Sequence, residues 1–423
     1  MDVSKFIAPE IIFGRGAVAQ VGESARRLGA RRVFVVSDPG VAGSGGLEKV
    51  LAALSVAGLA VEVWTGVTPN PRDHEIARGA ERYVGAGCDA VVGAGGGSAI
   101  DAAKAVATVV TNGGTIADYE GIDRIVRPLP PMVAVPTTAG SGSEASQFSI
   151  IVDTKRRLKM TIISKSLVPD IAICDPLLLA TVPHRLTADT GMDVLTHAIE
   201  AYVSLAATPL TDVHALAAMR LVARHLPASV ASQTNAEAKT AMAMASLQAG
   251  LAFSNAILGA VHAMTHPLGG YLDMPHGAAN AILLPYVMRF NLISSIDRYG
   301  DIARSLGGRT EGKTQREAAE LAIKLVTQLA ADVGIPRTLA DLGLTEEPIP
   351  HLAANACQDS CLITNPRDLG QEEIETIFRA ALYGDRPGED GAGAGVASGP
   401  AVAGEPAATA GIPDAPELGG VKG

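Results

Sequence analysis

Aromatic side chains are scarce: one Trp, seven Tyr and seven Phe in 423 residues. Hydrophobic residues still make up 48% of the chain, so the core must be built from Ala, Val, Leu and Ile. Cysteine is scarcer, with only Cys88, Cys174, Cys357 and Cys361. These lie far apart or at i,i+4, and none forms a C-x-x-C pair. Reduced thiols in a cytoplasmic protein are the expectation, with zinc–thiolate ligation the weaker alternative. Basic clusters are missing too. Lys and Arg total 34 against 44 Asp and Glu, a net charge of −10. The longest basic run, Lys155-Arg156-Arg157, reads as a polar turn between strands. Neither nucleic acid nor an acidic membrane is an expected partner. No apolar run approaches the roughly 18–20 residues of a membrane span, and the N-terminus shows no apolar segment of a secretory signal.

The length allows about two or three domains. Before residue 180, short β-branched runs alternate with helical patterns. Arg32–Val36, Val61–Trp64, Asp89–Val92 and Met132–Val135 read as strands, with helices near 46–57, 73–86 and 98–110. Such alternation predicts a parallel sheet covered on both faces. Ser146–Val152, Leu158–Ile163 and Ile171–Cys174 read as further strands, partly antiparallel. From residue 181 the strand signal fades. Thr187–Ser204, Thr211–His225, Ala236–Phe253, Asn255–His266, Gly277–Phe290, Ile296–Leu306 and Lys313–Val333 read as helices. The expected organisation is an α/β domain over 1–180 and an all-α domain over 181–384. In residues 385–423, Gly, Ala and Pro fill 24 of 39 positions, which predicts a disordered tail.

Three of the nine histidines, His262, His266 and His276, fall within fifteen residues. Upstream, Asp193 and His197 stand at i,i+4 and share a helix face, as do His262 and His266. One such pair alone is more often a surface contact. Two pairs among small apolar residues are harder to dismiss, because buried polar groups need partners. A shared divalent metal would satisfy them. The residues alone do not choose between His262 and His266.

A second signal lies in the first domain. Val91-Val92-Gly93-Ala94-Gly95-Gly96-Gly97-Ser98 closes a strand and opens a helix. Glycines there let backbone N–H groups approach a phosphate at a helix N-terminus, and Ser98 either caps that helix or donates to the phosphate. Pro136–Glu144 follows another strand and offers four hydroxyls for ribose or phosphate contacts. Asp38, after the first strand, is either a turn residue or a ribose acceptor that would favour NAD over NADP. It precedes the glycines, so the usual G-x-G-x-x-G fingerprint is absent.

These motifs, taken in order, resemble the iron-containing (group III) alcohol dehydrogenase family over roughly residues 6–383. The resemblance rests on Gly95-Gly-Gly-Ser98-x-x-Asp101-x-x-Lys104, on Pro136–Glu144 and on the Asp193/His197 segment up to Glu200. It continues through His262…His266…His276-Gly277 to Asn365-Pro366-Arg367. It implies an α/β dinucleotide-binding domain, an all-α metal domain and an active site between them. It implies Asp193, His197, His262 and His276 as ligands of Fe²⁺ or Zn²⁺, and places His266 near the nicotinamide as a candidate proton relay. Implied NAD contacts are Asp38, Asn70, Gly96, Gly97, Ser98, Thr137, Thr138 and Lys159, with Phe253 in the substrate pocket. The expected activity is hydride transfer between a primary alcohol or diol and NAD, in a dimer or an assembly of dimers. Two alternatives share the architecture. A dehydroquinate-synthase-like lyase needs a basic cluster, and the metal-proximal segments carry no Lys or Arg, Arg185 being nearest. The other is a non-catalytic redox or metal-sensing regulator.

Overall fold

The computed structural model describes residues 5–384, so the expected disordered tail at 385–423 lies outside the described residues. Among the described residues, strands β1 (Glu10–Phe13), β2 (Arg32–Val36), β3 (Ala60–Trp64), β4 (Ala90–Gly95), β5 (Gly121–Ile122), β6 (Met132–Pro136), β7 (Phe148–Asp153), β8 (Leu158–Ile163) and β9 (Ile171–Cys174) all precede residue 175. Six of them form one parallel sheet in the order β1-β9-β6-β4-β2-β3. Val33–Val36 and Val91–Val92 are fully buried, as expected of strands covered on both faces. The covering helices are α1 (Val21–Arg27), α2 (Pro39–Gly43), α3 (Gly46–Val56), α4 (Asp73–Ala86) and α5 (Gly97–Asn112). β7 and β8 pair antiparallel in a small second sheet. Their connection, Thr154–Arg157, is the expected polar turn; the Asp153 carboxylate accepts from the Lys155 and Arg156 N–H groups, both at 2.9 Å.

The sheet order positions a ligand. From β2 the chain moves outward to β3, returns to β4 beside β2, and continues the other way to β6. The direction of winding therefore reverses between β2 and β4, and ligands of open α/β sheets sit at the carboxyl ends of the strands at that point. Asp38 follows β2 there, and Gly96-Gly97-Ser98 follows β4.

The second domain is all-α: α6 (His184–Val203), α7 (Pro209–Ala231), α8 (Ala236–Ala256), α9 (Ala260–Leu272), α10 (His276–Asn291), α11 (Ile296–Ser305), α12 (Gln315–Asp332), α13 (Ile349–Ala356) and α14 (Gln371–Tyr383). α6 is its axis, buried from Gly191 to Val203. Its small residues let α7 approach closely; a Cβ on Gly191 would collide with Leu226.

The structure corrects the helix expected over Asn255–His266. α8 runs on through Ala256, Ile257 takes a left-handed φ of 62°, and α9 restarts at Ala260 after a bend of 103°. The restart has a physical cause. The first N–H groups of a helix lack intrahelical acceptors, and distant side chains supply them here. Asn365 Oδ1 accepts from Ala260 N at 3.1 Å and Glu200 Oε1 accepts from Val261 N at 2.6 Å. No single helix among the described residues is long and apolar enough to cross a membrane; the bent pair α8 and α9 passes by length and composition only.

Candidate metal centre in the interdomain cleft

A cleft of about 920 Å³ runs between the carboxyl ends of the parallel strands and α6, α9 and α10. Asp38, Asn70, Gly96, Gly97, Ser98, Thr137, Thr138, Lys159, Asp193, His197, Phe253, His262, His266 and His276 all line it. The structure thus gathers residues 238 positions apart into one site.

At the sheet end, the structure shows the turn role of Asp38 and leaves one carboxylate oxygen outside it. It caps α2, with Oδ1 accepting from Gly40 N at 2.8 Å and Val41 N at 3.0 Å, while its other oxygen faces Gly95. Gly96, not Ser98, is the N-cap of α5, so the capping alternative for Ser98 is wrong: its hydroxyl caps nothing. The glycines are required because two loops meet here. A Cβ on Gly97 would lie 2.7 Å from Ser141 Cβ, and one on Gly96 3.3 Å from Thr138 Oγ1. Beneath the loops, Lys104 donates to the Ser146 and Phe148 carbonyls at 2.7 and 2.8 Å. Asp101 accepts from the Ser143 hydroxyl and, at 3.1 Å, from Ile150 N. This pair, one turn apart on α5, pins the second loop from below.

Across the mouth, Asn70 occupies a left-handed φ of 55° and donates to Asp273 Oδ1 at 2.7 Å, while Arg72 lies 3.5 Å from Oδ2. Asp273, also at φ 55°, ends α9 three residues before His276. Lys159 leans against Gly269 of α9, where a Cβ would come within 2.8 Å of Nζ. Burial lowers its pKa to about 8, against the pull of Asp193. The fold therefore brings one lysine to the metal side that the local sequence did not suggest.

At the helical end, Asp193 Oδ1 lies 3.8 Å from His262 Nε2, 3.9 Å from His276 Nε2 and 4.0 Å from His197 Nε2. Three helices supply the four groups. Asp193, His262 and His276 offer donor atoms within 4.8 Å of one another. With bonds of about 2.0–2.2 Å, tetrahedral donors sit roughly 3.3–3.6 Å apart, so a small contraction closes these three on a cation, and His197 must swing in to complete the set. Burial lowers the pKa of His197 to about 4 and of His262 to about 3, and holds that of His276 well below its ordinary value. All three rings are neutral near pH 7, the form that ligates metals. Glu200 Oε2 lies 2.5 Å from His262 Nδ1, which fixes the Nδ1–H tautomer and turns the Nε2 lone pair to the site. The Asn280 amide nitrogen faces Asp193 Oδ1, His262 Nε2 and His276 Nε2 at 2.7, 3.1 and 3.2 Å, so the three atoms converge on one donor. The donor set fits a divalent transition metal.

His266 separates from this set. One helical turn beyond His262, its Nδ1 meets Asp359 Oδ2 at 2.7 Å. Phe253 stacks on His197 at 4.5 Å between centroids and packs against Phe148 at 5.7 Å, making an apolar wall beside the candidate metal ligands.

A profile of iron-containing alcohol dehydrogenases matches residues 8–176, and one of the C-terminal part of the Fe-containing alcohol dehydrogenase family matches 187–382. The chain belongs to the iron-containing alcohol dehydrogenase family. It is 45% identical to 1,3-propanediol dehydrogenase of Citrobacter freundii over 380 residues, covering 89% of this chain and 98% of that protein. It is 41% identical to the NAD-dependent methanol dehydrogenase of Bacillus methanolicus over 377 residues, 89% of this chain and 99% of that one. The crystal structure of a 1,3-propanediol oxidoreductase superposes with a TM-score of 0.88 at 43% identity, covering 90% of this chain and all of that one. The protein is, in general terms, a metal-dependent, NAD-linked oxidoreductase of alcohols or aldehydes.

Four site groups of this iron-containing dehydrogenase had no assigned role in the sequence reading: Glu200, Asn280, Asp359 and Cys361. Glu200 had a signal, standing seven residues after Asp193 on the same face of α6. Asn280 stands one turn after His276. Asp359 had none, being 93 residues from the histidine it meets.

Proposed function

We propose that this protein interconverts small primary alcohols or diols and their aldehydes with NAD, using iron held by Asp193, His197, His262 and His276. The observation that carries the reading is the convergence of Asp193, His262 and His276 at one end of a cleft, with His197 4.0 Å from Asp193 beside them and dinucleotide-type turns at the other end. A metal held there would supply Lewis-acid polarisation of the substrate oxygen, and a nicotinamide cofactor would supply the hydride chemistry.

The chain's own residues do the rest. Gly96, Gly97 and Ser98 present backbone N–H groups and a hydroxyl to phosphate at the start of α5. Thr137 and Thr138 add hydroxyls from the facing loop. The uncommitted oxygen of Asp38 receives ribose hydroxyls and repels a 2′-phosphate, favouring NAD. Phe253 and Leu258, both buried in the cleft wall, shape an apolar pocket and exclude water. His266 holds the relayed proton on Nε2 while Asp359 orients the ring through Nδ1. Relatives that act on 1,3-propanediol and on methanol support short, primary substrates. A homodimer, or an assembly of dimers, in the cytoplasm completes the reading, and light scattering checks the mass.

The test is alcohol-dependent formation of NADH by metal-loaded protein, across short primary alcohols and diols. Turnover with NAD and iron is expected. Silence with both iron and zinc across that panel would overturn the dehydrogenase reading in favour of a metal-sensing role.

A further inference from the structure

Beside the first donor set stands a second one of different chemistry. A ring nitrogen of His266, a carboxylate oxygen of Asp359 and Sγ of Cys361 lie within 4.8 Å of one another. All three residues are buried or nearly so, with His266 and Asp359 side chains 4% and 7% exposed and Cys361 fully covered. His266 and Cys361 nevertheless line the cleft, so the trio borders the space from which an ion would enter. We propose that this trio is a second, thiophilic metal site, which takes Zn²⁺, Cd²⁺ or Co²⁺ beside the iron-type centre.

The geometry is largely in place. Asp359 and Cys361 stand on one turn, and Cys361 N donates to Asp359 Oδ1 at 2.8 Å, which leaves Oδ2 for the ion. That oxygen already faces His266 Nδ1 at 2.7 Å. Closing a Zn²⁺ shell with bonds of about 2.0–2.3 Å asks for donor separations of roughly 3.3–3.8 Å, so side-chain shifts of about 1 Å suffice. The cleft supplies the fourth position. The chemistry separates the two sites. The first offers imidazole and carboxylate only, whereas the second adds sulfur, which selects soft metals. Burial and the neighbouring Asp359 keep the free Cys361 thiol well above its ordinary pKa, so an incoming metal must displace a tightly held proton and its binding strengthens as pH rises. Charge balance also permits two ions at this spacing. The His262 and His266 rings are 6.0 Å apart, and one carboxylate with one thiolate neutralises a second divalent ion. Its capture removes His266 from the Asp359 contact and obstructs the cleft, so the expected consequence is inhibition by thiophilic metals.

Cobalt reads the site directly, because thiolate ligation gives a near-ultraviolet charge-transfer band that a nitrogen and oxygen donor set cannot produce. Iron-loaded protein titrated with Co²⁺ is expected to develop this band and to saturate at about one equivalent. Cys361→Ser, with unchanged circular dichroism, abolishes it. Cys357→Ser retains it. Asp359→Asn weakens cobalt binding at least tenfold. Absence of the band in the wild type, its survival in Cys361→Ser, its loss in Cys357→Ser, or unaltered affinity in Asp359→Asn would each overturn the proposal. The reading does not depend on turnover: a protein inactive on every alcohol would still show the band.

Discussion

At the scale of single residues, the two histidines one turn apart on α9 are divided by their Nδ1 partners. Glu200 turns His262 toward Asp193, and Asp359 turns His266 away from it. His262→Ala is therefore expected to lose metal and NADH formation together, measured by metal analysis and absorbance. His266→Ala should keep its metal while turnover falls by about 10²–10⁴, the usual worth of a positioned acid–base group. Full metal occupancy in His262→Ala would contradict the assignment. Glu200→Gln should weaken metal affinity by about 10–100-fold, as loss of a partner behind a ligand does. Lys159 gives a pH signature in the metal-free protein. Its pKa is depressed to about 8 in the fold, against 10.5 as its ordinary value. Between those values the unfolded chain binds more protons, so the Lys159 contribution makes stability rise with pH across that window. Lys159→Met should remove that part of the rise, read by urea denaturation at the two ends. The sequence showed that a histidine cluster existed and left His262 and His266 equivalent. The family resemblance separated them, and their partners, 62 and 93 positions away, supply the physical reason.

At the scale of elements, regular interiors were legible and their junctions were not. The β-branched run Arg32–Val36 and the alternation around it predicted β2 with its observed bounds. The sequence pattern placed the break between α8 and α9 at residue 254, whereas it falls at 257–259, because an isoleucine at φ 62° announces nothing in its composition. The restart depends on Glu200 and Asn365, from elsewhere in the chain. Asn365 also exchanges hydrogen bonds with Asn291, 2.9 Å each way. Asn365→Ala leaves buried donors without acceptors, at about 1–3 kcal/mol for each unsatisfied group. A lower Tm and weaker metal retention are expected together, since His262 sits on the first turn that Asn365 caps. An unchanged Tm would detach the cap from the site. The glycine turn shows the opposite case: its composition named the site, and only the facing loop explains why Gly97 cannot carry a Cβ.

For the molecule as a whole, the sequence placed two domains of different class along the chain, and the sheet order then showed where they meet. No local pattern encodes β1-β9-β6-β4-β2-β3, because pairing between distant strands is decided by packing. That order puts Asp38 and the glycine turn at one mouth, opposite a metal set drawn from α6, α9 and α10. A cation bound there ties three helices that the unfolded chain does not hold together. Chelation should therefore lower Tm, and readdition of metal should restore it, by an amount that grows with free metal concentration. A Tm indifferent to chelator would deny the helices their common ligand.

The link from Asn70 and Arg72 to Asp273 has a thermodynamic consequence. It joins the loop expected to hold NAD to the residue that ends α9, three positions before His276. Occupancy at one end of the cleft then changes the energy of the other, and such coupling is symmetric at equilibrium. Whatever factor NAD applies to metal affinity, metal must apply to NAD affinity. Asp273→Ala should move both factors toward unity, which makes the cofactor and the ion each other's effector.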